Sequence, residues 1–70
     1  MKQKKKFFLN GEQYCIKDEI NLLDLLIYFN FPNQLFVVEY NTSICKTQNW
    51  STISVQNNDK IEIITIVGGG

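Results

Sequence analysis

Seventy residues, 44% hydrophobic and 13% aromatic, with seven lysines against seven acidic residues, describe one small globular domain of zero net charge. No whole-chain field favours nucleic acid or a membrane surface, and the absence of histidine removes the usual general base and metal ligand near neutral pH. A chain this short buries only about 60% of the surface its unfolded form exposes, which leaves little room for an enclosed catalytic site.

Residues 1–6 carry four of the lysines and read as a charged, frayed lead-in. The domain proper is expected over 7–67, with a tail at 68–70. Phe7, Phe8 and Leu9 open a strand that meets Asn10-Gly11, and Asn-Gly between apolar runs is the strongest short hairpin signal because both residues accept positive φ. The return strand spans Glu12 to Lys17, with Tyr14 and Ile16 on one face and Cys15 on the other. Asn21 is a good helix N-cap, with Asp24 three residues on at the positive end of the helix. Leu22, Leu25, Leu26 and Phe29 then fall on one stripe that Leu23 and Ile27 broaden, predicting a helix to about Asn30 that Pro32 closes.

Leu35 to Tyr40 reads as a third strand and Ser43 to Lys46 as a short edge strand. Between Gln48 and Val55, Trp50 and Ile53 stand three apart, as in a single helical turn tucked under the sheet. The polar turn Gln56-Asn57-Asn58-Asp59 delivers the chain into Ile61–Val67, rich in β-branched residues and ending in Gly68, Gly69 and Gly70. The order hairpin, helix, strand, irregular section, strand predicts an α+β fold. One helix crosses a mixed four- to five-stranded sheet, and a right-handed crossover sets the last strand beside the first and parallel to it. That arrangement is the β-grasp, or ubiquitin-like, fold.

The NG hairpin, the helical LLDLL, the strand VVEYN, Trp50 and the closing NDKIEIITIVGGG together resemble the ThiS family of sulfur carriers in thiamine biosynthesis, over about Phe8 to Gly70. The resemblance implies a non-enzymatic carrier whose C-terminal carboxylate, here on Gly70, is adenylated by an ATP-using partner of the ThiF type. That carboxylate then becomes a thiocarboxylate and gives sulfur to a ThiG-type thiazole synthase. Gly69 and Gly68 would form the thin tail. The family minimum is a terminal Gly-Gly, and a third glycine lengthens the reach by about 3.5 Å.

The chemistry of the residues points the same way. A terminal carboxyl has a pKa near 3.5, is ionised at pH 7 and can attack an α-phosphate. Glycines without Cβ let a backbone thread a closed pocket, and three extended residues reach about 10 Å. No phosphate-binding glycine pattern is present, so ATP is expected on the partner and no cofactor on this chain.

The molybdopterin-synthase small subunit shares this fold and tail chemistry, and a ubiquitin-like interaction module with an inert tail is the rival of another class. Ile64, Ile66 and Phe36, with Phe7 or Phe8, are too many apolar side chains for one core under a single helix. They are expected to form a docking face for the partners. Cys15 and Cys45 form no CxxC pair and read as reduced, small apolar residues. With no signal peptide or membrane span, the expectation is a monomeric intracellular protein. Lysine without arginine and abundant Asn and Ile suit an AT-rich genome, hence the cytoplasm of a low-GC bacterium or a plastid stroma.

Overall fold

The computed structural model describes residues 4–31 and 36–65. Five strands, β1 (Lys5–Leu9), β2 (Glu12–Ile16), β3 (Phe36–Tyr40), β4 (Ser43–Cys45) and β5 (Asp59–Thr65), form one sheet in the order β2-β1-β5-β3-β4. The helix α1 (Leu22–Tyr28) packs on one side, and a 3-10 turn at Thr47–Thr52 follows β4. β5 lies in the middle, parallel to β1 and antiparallel to β3, which is the β-grasp arrangement.

Local chemistry accounts for each element. Asn10 (φ 51) and Gly11 (φ 83) both sit in the left-handed region that a type I′ hairpin needs, with Leu9 paired to Glu12. β1 begins at Lys5, so Lys5 and Lys6 pair with Ile16 and Cys15, ahead of the boundary at residue 7 expected from composition.

At α1, the Asn21 side chain accepts from the Asp24 N–H at 2.7 Å, the expected cap. The helix stops at Tyr28 rather than running to Asn30. Phe29 keeps a helical conformation, and Asn30 turns left-handed (φ 51) with its N–H donating to the Ile27 carbonyl at 3.0 Å. Pro32, expected to close the helix, and Leu35, expected to open β3, lie outside the described residues.

The core lies between α1 and the inner face of the sheet: Phe7, Leu9, Leu22, Leu25, Leu26, Val38, Val55 and Ile61 are all buried. A row of rings runs along its margin, from Phe7 on Tyr14 (5.6 Å) through Phe29 and Phe31 to Phe36 stacked on Trp50 (5.7 Å). Trp50 reaches this position because its Nε1 donates to the Cys45 carbonyl at 3.1 Å. Ile27, expected to broaden the buried stripe, is exposed, because a helix of seven residues, about two turns, buries only the Leu22-Leu25-Leu26 side. The two ends of the fold are tied where Leu22 N–H donates to Ile53 O (2.8 Å) and Val55 N–H to Ile20 O (2.9 Å). No helix among the described residues is long and apolar enough to cross a membrane.

Candidate functional site: the last strand and the outer face of the sheet

β5 carries the chain to the glycines, and its two neighbours stop short of holding it by strand pairing alone. Pairing with β1 ends at Leu9 opposite Ile61. Beyond that point Asn10 substitutes for a strand: its N–H donates to Ile61 O at 2.9 Å, and its side-chain oxygen accepts the Ile63 N–H at 2.7 Å. Asn41 does the same on the β3 side. Its N–H donates to Lys60 O and its Oδ1 accepts Lys60 N–H, both at 2.7 Å. Two turn asparagines in the left-handed region thus continue the ladder with their amides.

The start of β5 is fixed by Asp59, only 6% exposed. Its carboxylate accepts from the Tyr40 hydroxyl, from Asn41 Nδ2 at 3.0 Å and from the Gln56 N–H at 2.7 Å. Three donors satisfy a buried charge that would otherwise be costly. Burial first, then the hydrogen bond to Asp59 and the nearby Asp59 and Cys45 charges, push the Tyr40 hydroxyl well above its ordinary value of 10.0. Tyr40 therefore stays a donor. This network is structural: it anchors the strand and faces the turn at Ser54–Gln56.

Gly68, Gly69, Gly70 and Ile66 lie outside the described residues. The remaining expected docking residues separate. Ile64 is 44% exposed on the outer face, away from α1. Phe36 is on the inner face, stacked on Trp50 and packed against the core, so its assignment to the docking face is corrected. Register is the reason: Phe36 pairs with Thr65 and Val37 with Ile64, so Val37 is the β3 residue that shares the Ile64 face. The same alternation puts Phe7 in the core and Phe8 outside, with Lys6 Nζ 5.9 Å from the Phe8 ring centre.

Sequence reasoning missed Ile44, at 60% the most exposed apolar side chain of this face among the described residues. It stands opposite Glu39, as Cys45 does opposite buried Val38. The outer face is thus apolar at Phe8, Val37, Ile44 and Ile64 and acidic at Glu39 and Glu62, which sit directly opposite each other on β3 and β5.

Neither cysteine is in a disulfide. Cys15 is exposed, and burial pushes the half-buried Cys45 thiol up, which makes it a weaker nucleophile near neutral pH. Among the described residues no three His, Cys, Asp or Glu side chains converge on a possible metal position. The open cleft of about 380 Å³ between β2 and α1 is lined mainly by apolar and aromatic side chains, among them Phe7, Tyr14, Ile20 and Phe29.

A sequence model of the ThiS family matches residues 7–70. The protein ycf40 of Trieres chinensis is 58% identical over 66 residues, covering 94% of this chain and 90% of that protein. The sulfur carrier protein ThiS of Bacillus subtilis is 33% identical over 63 residues, 89% of this chain and 96% of that one. A thiazole synthase of Magnetococcus marinus is 29% identical over 65 residues, which is 93% of this chain and 20% of that protein. Among solved structures, the thiamine biosynthesis protein ThiS of Geobacter metallireducens superposes with a TM-score of 0.80 at 20% identity, over 93% of this chain and 99% of that one, and shares the fold. With the family match running from β1 to Gly70 on a β-grasp sheet, the chain belongs to the ThiS family.

Proposed function

We infer that this chain is a sulfur carrier of thiamine biosynthesis rather than an enzyme, with the Gly70 carboxylate as the group that carries sulfur. The observation that carries the reading is the family match through residue 70, backed by 33% identity to a protein named as a sulfur carrier. Tail chemistry supplies the steps. The carboxylate attacks the α-phosphorus of ATP on a ThiF-type adenylyltransferase, releasing pyrophosphate and leaving an acyl-adenylate. Sulfide-level sulfur (HS⁻) supplied on the partner side then attacks the acyl carbon and expels AMP, so that one C–O bond is exchanged for C–S and the tail leaves as a thiocarboxylate. Gly68 and Gly69 let the backbone enter the partner's pocket, because a chain without Cβ atoms threads a narrow channel. ATP and its metal ion belong to the partner, and this chain binds no cofactor.

The stretch similar to this chain inside a thiazole synthase supports a synthase of that type as the acceptor of the sulfur. It also favours the thiazole branch over molybdopterin, as does the name of the Bacillus relative. The carrier acts as a monomer that docks on each partner through the outer face of its sheet, where Ile64 is exposed and where Ile66 belongs by our sequence reading. Lysine without arginine and abundant Asn and Ile support a plastid stroma or the cytoplasm of a low-GC bacterium as the compartment.

Intact mass measured after incubation with ATP, a ThiF-type enzyme and a sulfur source tests the reading. The full-length chain should exchange one oxygen for sulfur, and a chain lacking Gly70 should not. An unchanged mass, with the enzyme competent on its own carrier, would make the chain an interaction module with an inert tail.

A further inference from the structure

The outer face carries an arrangement that costs a lone domain stability. In the β3–β5 register Glu39 stands directly opposite Glu62, and like charges at such positions, with Cβ atoms about 5 Å apart, repel. Among the described residues the ion pair joins Lys5 to Glu19 at 3.0 Å, and neither Glu39 nor Glu62 has an ion-pair partner. Lys60 shares the face but stands opposite Asn41, whose side chain is committed to the Lys60 backbone and to Asp59.

The surroundings are apolar. Ile44, 60% exposed, completes the row Ile44-Glu39-Glu62 across three strands, and the pair Val37 and Ile64, the latter 44% exposed, forms the next row toward the tail. Two uncompensated carboxylates set in exposed aliphatic surface match one kind of side chain: a cation with an apolar stem. Arginine fits best, since its planar fork bonds two carboxylates while its methylenes lie on aliphatic neighbours.

We propose that this face docks the thiazole synthase around a single cationic side chain of that enzyme, an arginine or lysine seated between Glu39 and Glu62, with Ile44 and Ile64 closing over its stem. The proposal rests on the reading of the chain as a carrier for such a synthase. That enzyme is the occupant because a stretch like this chain is built into a protein named thiazole synthase. The repulsion between the two glutamates is then relieved only in the complex, so the pair raises affinity at the expense of the free carrier's stability.

The experiment uses the full chain already converted to its thiocarboxylate, so that failure of the carrier chemistry shows itself at that earlier step. Binding to the cognate ThiG-type synthase is measured by calorimetry for the native chain and for Glu39→Gln, Glu62→Gln and the double variant, alongside thermal unfolding of each carrier. Each single substitution should raise the unfolding midpoint by about 1–5 °C, as expected from removing one like-charge cross-strand pair in a 70-residue domain. The double variant should bind the synthase at least about tenfold more weakly, as expected for lost charge-assisted bonds. Native binding should weaken as NaCl rises, and the double variant's should not.

Opposite signs in stability and binding exclude loss through misfolding. Binding unchanged within twofold would overturn the proposal. So would a loss confined to adenylation by the ThiF-type enzyme, which would move the cation to that partner.

Discussion

The two faces of the same sheet obey different rules. On the inner face Phe7, Leu9, Val38 and Ile61 are buried under α1, and every neighbour of theirs is another part of this chain. One residue away on each strand, Phe8, Val37, Glu39, Glu62 and Ile64 lie on a face that no helix among the described residues covers. Strand alternation forces this division, since successive side chains point to opposite faces. The inner face is therefore selected by packing alone, while the outer face is free to hold what packing would reject: exposed isoleucines and two opposed carboxylates. A substitution should reveal its face by whether it moves stability or partner binding.

The largest effect should come from the inner face at the strand that leads to the tail. Ile61→Ala removes a fully buried side chain between β1 and β3 and should cost about 2–5 kcal/mol, comparable to the whole stability of a domain this small. The variant is then largely unfolded in water, which far-ultraviolet circular dichroism detects. Ile61→Val, at about 0.5–1.5 kcal/mol, keeps the measurement within range of urea titration.

Asp59 comes next. Asp59→Ala strips the shared acceptor from the Tyr40 hydroxyl, Asn41 Nδ2 and the Gln56 N–H, and should cost about 1–3 kcal/mol by leaving those donors underused.

The same network sets a pH dependence. Tyr40 has a folded pKa raised above its unfolded value of 10.0, so the native state holds the proton more tightly. The stability it contributes is complete below pH 10 and is lost as the pH rises toward the folded value. Urea midpoints should therefore fall between pH 10 and 11, and Tyr40→Phe should flatten that slope. An identical slope in the variant would assign it to other groups.

What could be read from the sequence follows from range. The hairpin at Asn10-Gly11, the Asn21 cap and the Leu22-Leu25-Leu26 stripe are decided by residues a few positions apart, and each is found where expected. The parallel placement of β5 beside β1 followed from crossover handedness. The face of Phe36 did not, because the run from Leu35 to Val38 is apolar at successive positions and its register comes from Thr65 and Ile64 across the sheet. Ile44 was hidden for the same reason: three residues are too few to show alternation. The second role of Asn10 joins positions 53 apart, beyond any local pattern.

That second role can be separated from the turn. Asn10→Gly keeps the positive φ that the hairpin requires and deletes the side-chain amide whose oxygen receives the Ile63 N–H, at about 0.5–1.5 kcal/mol. Asn10→Ala loses the same oxygen but keeps a Cβ in the left-handed region without the polar side chain that lets Asn tolerate it, and should cost about 1–2 kcal/mol more than the glycine variant. The difference between the two variants, by urea unfolding, isolates the turn. Amide exchange at Ile63 should quicken in both, since both lose the cap. Protection unchanged in Asn10→Gly would mean that β5 is held there by something other than the amide.

The smallest stability effect belongs to the outer face at Ile64. Ile64→Thr preserves the β-branched shape that suits a strand and removes one exposed apolar group, so unfolding should shift by less than about 1 kcal/mol. Delivery of sulfur should suffer far more if the face docks partners: a three- to tenfold loss in transfer rate at subsaturating partner, recovered at high partner concentration, is the order expected for one apolar interface contact of about 1 kcal/mol. The recovery matters, because it separates weakened docking from damage to the tail chemistry, which no excess of partner would repair. Equal small losses in stability and transfer would return Ile64 to the role of an ordinary strand residue, and the contrast between the two faces would then rest on Glu39 and Glu62 alone.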